Sequence, residues 1–148
     1  PTIPEDPEGY ARVRTGTSTP IAGSERLTSK YRFNDFFRAG AVDVAQPDII
    51  YIGGITEMKK VAAVAEIYQV VIAPHNTKGP VGIMAAAHVM ASIPNALIQE
   101  FIAPSRIPWR NDVLKHPLVV ENGYLTISDR PGLGIEFDEK ALKPHIYQ

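Results

Sequence analysis

Four short apolar segments, each ending at or next to an ionisable residue, recur along the first two thirds of the chain. They are Pro20–Glu25, Ala41–Asp48, Val70–His75 and Ala96–Phe101, the last with Glu100 near its end. The four ionisable residues lie about 25 residues apart, a spacing typical of a repeated strand–helix unit. Because the segments are short and continuously apolar, we expect strands buried on both faces, as in a parallel sheet.

Helical patterns fill the intervals between these segments. Asp6 and Pro7 predict the start of a first helix, which Gly16 ends. A second, short helix is expected from an Asn34 cap to Gly40. Further helices are predicted over residues 57–68, capped by Thr56, and over residues 81–92. Since no glycine fingerprint for nucleotides accompanies these units, we interpret them as part of a barrel, with the site at the carboxyl ends of the strands.

Composition excludes several classes of protein. The chain has 148 residues, 45% of them apolar, and a net charge of −1 with no basic stripe, so neither nucleic acid nor a membrane surface is a predicted partner. No apolar run approaches the roughly 20 residues of a transmembrane helix. The absence of cysteine excludes disulfides and thiolate metal sites. We expect a soluble, cytoplasmic protein.

The residue types at the four strand ends suggest one chemistry. Adjacent parallel strands are about 4.8 Å apart, so Asp48 and His75 are expected to hydrogen-bond and to form a general base. Glu25, one strand away, offers hard oxygen ligands to Mg²⁺. Glu100, on the other side of His75, is placed to bond a substrate oxygen. A base beside a hard cation suits abstraction of a proton α to a carboxylate.

The same stretches resemble a known family. "PIAGSER", "VDVAQPDIIYIGGITEMKKVAAVAE", "VVIAPHN…GP" and "NALIQEF" are similar to the enolase superfamily, in its mandelate racemase-like branch, and closest to acid-sugar dehydratases of the galactonate type. The resemblance implies a modified TIM-type (β/α)₇β barrel and a Mg²⁺-dependent lyase acting on a sugar acid. It also implies that Glu25 is a metal ligand, Asp48 and His75 the base pair, and Glu100 the group that bonds the enediolate. Barrels of this branch commonly form dimers or octamers, so a homo-oligomer is expected.

Three features of that family have no counterpart in this sequence. Family members carry two further Mg²⁺ ligands on earlier strands, often another acid or base, and an α+β capping domain that selects the substrate. We therefore expect residues 1–103 to be the second half of the barrel. Residues 104–148 are expected to be a tail that packs on the barrel and on a capping domain absent here. The chain is predicted to be part of a longer polypeptide and inactive alone.

The tail and several individual residues leave alternatives open. Residues 106–116 are expected to be irregular and residues 118–137 to form one or two hairpins around a tight turn at 121–124. Candidate substrate-binding residues are Arg26, Asn76, Lys78 and Trp109. Arg26 could instead pair with a surface carboxylate, and Trp109 could anchor the tail. For the whole protein, a racemase or epimerase and a non-catalytic scaffold are the alternatives to a dehydratase.

Overall fold

The computed structural model describes residues 2–102 and 106–146. A parallel sheet lies at its centre, in the order β1-β2-β3, with β1 at Ala22–Gly23, β2 at Val44–Ala45 and β3 at Val71–Ile72. Register pairs Ala22 with Val44 and Val44 with Val71. A parallel bridge between Ile72 and Ala96 adds the next segment to the same sheet. The predicted α/β class with parallel strands is confirmed.

Helices alternate with these strands as the sequence predicts, and a tail of short elements follows. The four long helices are α1 (Pro7–Thr15), α2 (Lys30–Arg38), α3 (Ile55–Ile67) and α4 (Pro80–Met90). The tail contains α5 (Trp109–Asp112), β4 (Val120–Glu121), β5 (Tyr124–Leu125), α6 (Glu139–Leu142) and a 3₁₀-helix (Lys143–His145). Within residues 2–102 and 106–146, none of the helices combines the length and the hydropathy of a membrane-spanning segment.

The structure confirms one of the three predicted helix N-caps and contradicts the other two. Asp6 caps α1 by accepting a 2.9 Å hydrogen bond from the amide of Gly9, as expected. The predicted Asn34 cap is wrong, because α2 begins a turn earlier, where Ser29 accepts from the amide of Arg32. The predicted Thr56 cap is also wrong, since Gly54 precedes α3 with a φ of 91° and no side-chain cap. A glycine adopts this left-handed conformation without the cost that a side chain brings.

The strands and the tail also differ from prediction in detail. Each regular strand is only two residues long, and the segment at 96–101 makes a single bridge rather than a full strand. The expectation that residues 106–116 are irregular is wrong for α5. One hairpin forms at β4 and β5, through Asn122 and Gly123 at φ 52° and 83°, the conformation of a type I′ turn. The predicted boundary at 103/104 lies outside the described residues.

The core fills the space between the sheet and the helices α2 and α3. Its largest fully buried apolar side chains are Phe33, Phe36, Met58, Val61 and Ile72. Phe33 and Phe36 come from one face of α2, while Met58 and Val61 come from the facing side of α3. Burying side chains of this size contributes about 1.5–3 kcal/mol each, so this layer holds the strand ends in place.

Candidate active site

Three ionisable residues follow the carboxyl ends of the three parallel strands. Glu25 lies two residues after β1, Asp48 three residues after β2, and His75 three residues after β3. Because the strands run parallel, these three positions share one edge of the sheet. The sequence therefore brings its predicted site residues to one rim.

Asp48 and His75 form a direct hydrogen-bonded pair. His75 Nδ1 lies 2.9 Å from Asp48 Oδ2. Asp48 is 1% exposed, and its other oxygen accepts a 2.9 Å hydrogen bond from the amide of Ile50 and a 3.4 Å one from that of Tyr51. A buried carboxylate held by backbone donors has one fixed orientation. It favours the imidazole tautomer that carries its proton on Nδ1, which leaves the lone pair of Nε2 available.

The His75 side chain reaches the surface while its partner does not. The imidazole is 21% exposed, against 1% for the carboxylate of Asp48. An accessible ring backed by a buried acid is the geometry that a general base needs, because the substrate must reach Nε2.

Glu100 meets the loop that carries His75. We define the His75 loop as residues 73–79, between β3 and α4. Glu100 Oε2 accepts a 2.7 Å hydrogen bond from the amide of Asn76, the residue after His75. The bridge of Ile72 to Ala96 and a 3.3 Å bond from the amide of Glu100 to the carbonyl of Pro74 align the two segments. Glu100 therefore lies against the His75 loop, on the side that the sequence predicts.

Asn76 is part of the frame of this loop. It is 2% exposed, and its Oδ1 accepts a 3.0 Å hydrogen bond from the amide of Lys78. Gly82, in the first turn of α4, makes room for it, since a Cβ there would lie 3.2 Å from Asn76 Nδ2 and 3.3 Å from the side chain of Ile50. The predicted contact of Asn76 with substrate stays a prediction, and its internal bond gives it a structural role.

Lys78 places a positive charge on the same rim. Its Nζ donates a 3.0 Å hydrogen bond to the hydroxyl of Tyr51 and lies 5.0 Å from the centre of that ring. The hydrogen bond to Tyr51 raises the pKa of Lys78 above its ordinary value, and the negative charge of Asp48 adds to the effect. Lys78 is therefore a stable cation near the Asp48–His75 pair, suited to an anionic substrate.

Glu25 has a different neighbourhood. It follows Ser24, which is buried in the left-handed region at φ 80°, and Tyr10 packs over the preceding Gly23. Burial raises the pKa of the Tyr10 phenol, and the negative charge of Glu25 adds to this shift, so the two groups are close. Arg26 points elsewhere, with its Nε 3.8 Å from a carboxylate oxygen of Glu5 at the exposed surface.

The described residues do not complete a metal site. No group of three or more His, Cys, Asp or Glu side chains that could hold a metal occurs within residues 2–102 and 106–146. Mg²⁺ requires six oxygen ligands in octahedral geometry and is usually bound by one or two carboxylates together with substrate and water. Glu25 offers one hard ligand, but this part of the chain alone does not fit the ion.

Trp109 anchors the end of the tail. Its indole stacks on the imidazole of His145, with ring centres 4.4 Å apart and an interplanar angle of 15°. The tail-anchoring alternative for Trp109 therefore has direct support, whereas its contact with a substrate stays a prediction.

Arg110, the neighbour of Trp109, lies at the site although no pattern in the sequence points to it. Its guanidinium donates hydrogen bonds of 2.6 and 2.9 Å to the carbonyls of Thr77 and Lys78. More than thirty residues separate these partners along the chain. No periodicity or strand-end position marks a contact of this kind, because it depends on how the tail folds back.

Residues 1–141 match the protein family described as "Enolase C-terminal domain-like". The chain belongs to this family. The match confirms the resemblance stated from the strand-end motifs, and with it the predicted half of a (β/α)₇β barrel.

Individual relatives agree with the family assignment. The chain is 41% identical to D-galactarolactone cycloisomerase from Agrobacterium fabrum, over 96% of the chain and 39% of that protein. It is 36% identical to D-galactonate dehydratase from Xanthomonas oryzae, over 97% of the chain and 39% of that protein. The crystal structure of a mandelate racemase/muconate lactonizing enzyme from Sulfitobacter superposes with a TM-score of 0.91 and 40% identity, covering 99% of the chain and 36% of that protein. The chain thus spans under two fifths of the length of these relatives.

Proposed function

We propose that the chain carries the general base of an acid-sugar dehydratase, and that His75 is this base. The observation that carries the proposal is the 2.9 Å contact between His75 Nδ1 and a carboxylate that is itself buried and held by backbone amides. Because Nδ1–H donates its hydrogen bond to Asp48, the lone pair of Nε2 stays free and faces the rim.

The proposed reaction removes water from a sugar acid. Nε2 of His75 takes the proton α to the substrate carboxylate, and the electron pair of the C–H bond forms an enediolate. The β-hydroxyl then leaves with a proton as water, and the resulting enol becomes a 2-keto acid. Either the protonated His75 or an acid outside the described residues supplies that proton.

Two further residues have proposed parts in this chemistry. Glu100 accepts a hydrogen bond from the amide of Asn76 through Oε2, and its other oxygen, in the carboxylic acid form, would donate a hydrogen bond to the enediolate. Lys78 supports an anionic substrate through its charge. Both act where negative charge develops during proton abstraction.

Glu25 is proposed as one ligand of a Mg²⁺ ion that the described residues alone do not complete. A bound Mg²⁺ would hold the substrate carboxylate. The change Glu25→Gln is expected to weaken Mg²⁺ binding to the full-length protein by at least about tenfold, measured by calorimetry. The change Glu121→Gln, in the exposed hairpin, is the control and should leave binding unchanged. Equal affinity in both variants would remove Glu25 from the site.

The sugar-acid substrate is proposed from the relatives. A protein named D-galactonate dehydratase and one named D-galactarolactone cycloisomerase both match nearly the whole chain. The cycloisomerase, at 41% identity, makes isomerisation of a sugar-acid lactone the second candidate function. Dehydration yields a 2-keto acid that carbonyl reagents detect, whereas isomerisation yields an isomer of unchanged mass. A racemase or epimerase would instead change optical rotation and bring solvent deuterium to the α carbon.

The test is the change His75→Asn in the full-length protein, offered a panel of sugar acids and lactones. Asn keeps a hydrogen-bonding side chain of similar length but cannot accept the α proton, so turnover and α-proton exchange should fall by at least about a thousandfold. His116→Asn, at an exposed position of the tail, is the matched control. Unchanged turnover in the His75 variant would overturn the base assignment. Inactivity of the wild-type protein on the whole panel would favour the scaffold alternative.

A further inference from the structure

We propose that Arg110, on the tail helix α5, is a positioning residue that fixes the His75 loop for proton transfer. The inference rests on the proposed role of His75 as the base. It extends that role by assigning a function to the tail in the geometry of the rim.

The contacts of Arg110 fall on the main chain just after the base. Nη1 donates to the carbonyl oxygens of Thr77 and Lys78 at 2.6 and 2.9 Å. A guanidinium is charged at every relevant pH, and its hydrogen bonds are stronger than those of neutral donors. One nitrogen therefore holds two successive carbonyls of the loop.

The His75 loop depends on side chains for its shape. It lies between β3 and α4 and has no regular secondary structure of its own. Asp48 orients the imidazole, Glu100 holds the amide of Asn76, and Asn76 holds the amide of Lys78. Asp48 and Glu100 thus act on the first part of the loop, while Arg110 holds the carbonyls of its second part. A guanidinium at that point limits how far the backbone around His75 can shift.

The helix α5, which carries Arg110, is itself held in place by contacts within the tail. The next residue, Asn111, bonds both backbone groups of Leu118: its Oδ1 accepts from the amide at 2.7 Å and its Nδ2 donates to the carbonyl at 3.1 Å. Val113 is 2% exposed, which buries the end of α5. Because the hydrogen bonds of Asn111 and the burial of Val113 hold α5 in place, the guanidinium approaches the loop from a fixed helix.

Three variants of the full-length protein test the proposal. Arg110→Met keeps the apolar stem and removes both donors, and Arg110→Lys keeps a charged donor. Arg38→Met, on the exposed last turn of α2, is the matched control. One measurement is amide hydrogen exchange at Asn76 and Lys78 without substrate. The other is kcat and KM on the sugar acid or lactone that the wild type converts.

Arg110→Met is expected to speed exchange at the two loop amides by about tenfold. It should lower kcat by roughly 10- to 100-fold with little change in KM, because a small misplacement of a reacting group costs rate more than binding. Arg110→Lys should recover part of both effects.

The results that overturn the proposal are distinct from a failure of the proposed function. Loop exchange and kcat equal to those of Arg38→Met would overturn it. So would faster exchange spread over the whole chain with kcat per folded molecule unchanged, since that describes a stability role only. If the wild type converts no substrate, the proposed function fails. Loop exchange then still decides whether Arg110 holds the loop.

Discussion

The body of the molecule (residues 2–102) and its tail (residues 106–146) are built on different principles. In the body, α2 and α3 bury large apolar side chains against a parallel sheet, with Phe33, Met58 and Val61 wholly inaccessible. In the described tail, the buried apolar side chains are only Val113 and Leu114. The body is held by a shared core, whereas the tail is held by individual polar and aromatic contacts.

The core and the polar contacts contribute in different ways to the geometry of the rim. The core sets the sheet and hence the positions after each strand, to within a residue or two. The contacts that fix orientation are hydrogen bonds, such as those of Asp48 with two amides and of Arg110 with two carbonyls. The tail is thinly packed, yet its Arg110 bonds two carbonyls of the loop that carries His75, the proposed base.

The largest difference in stability between body and tail is expected when one aromatic ring is removed from each. Phe36→Ala empties a fully buried position of the body and should lower the free energy of unfolding by about 3–5 kcal/mol. Trp109→Ala removes a ring that is 43% exposed and stacked on His145, with an expected loss of about 1 kcal/mol. Denaturant unfolding of both variants measures this. Equal losses would show that the tail is as much a part of the core as α2.

A smaller loss of stability is expected when the hydrogen bonds of the Asp43 carboxylate, inside the body, are weakened. Asp43 accepts 2.8 Å hydrogen bonds from the amide of Ile21 and from Nε of Arg14, which joins α1 to the first two strands. Asp43→Asn should cost about 1–3 kcal/mol at neutral pH. Asp35→Asn is the control, because its carboxylate is exposed and lies 3.9 Å from Arg32.

The cost of Asp43→Asn should also depend on pH. The hydrogen bond from Ile21, followed by Arg14, holds the pKa of Asp43 below its ordinary value of 3.8. A lowered pKa in the folded state means that the stabilisation is complete above the ordinary pKa and is lost as pH falls through the folded one. The difference in unfolding free energy between wild type and variant should therefore be smaller at about pH 3 than at about pH 7. A constant difference would contradict this.

In the tail, a backbone change should have a local effect. Gly123 has a φ of 83°, and a methyl group added there would have no atom within 4 Å, so Gly123→Ala should destabilise the hairpin by about 1 kcal/mol through conformation alone. Gly79→Ala is matched, because that site is equally open but has a φ of −92°. Amide exchange should rise in β4 and β5 and stay unchanged in α3. A decrease in the free energy of global unfolding would show that the hairpin and the body unfold as one cooperative unit.

The smallest expected effect is a gain. Ser24 is a buried non-glycine residue at φ 80°, a conformation that costs about 1–2 kcal/mol. Ser24→Gly relieves this but adds freedom to the unfolded chain, so a net gain of about 0.5 kcal/mol is expected. Thermal unfolding measures it. A loss would mean that the hydrogen bonds of the Ser24 hydroxyl, to the carbonyl of Gly23 and from the amide of Gln46, outweigh the strain.

The repeated strand–helix units could be predicted from the sequence. The contacts that form when the tail folds back onto the body could not. Residues after strands share an edge by geometry, so the closeness of Asp48 and His75 followed from the spacing alone. The start of α2 was misplaced because Ser29 and Asn34 are both good caps, and packing of the phenylalanines selects the earlier one. The approach of Arg110 has no local signal, since α5 reaches the loop only once the tail has folded.

The close packing around Gly82 limits which substitutions this site can accept during evolution. A methyl group there would press on Asn76, the residue next to the proposed base, and on Ile50, the residue whose amide holds Asp48. One substitution in a helix can therefore disturb both members of the pair without touching either. A library meant to give this rim a new substrate should keep glycine at 82 and vary Tyr51 and Lys78 instead.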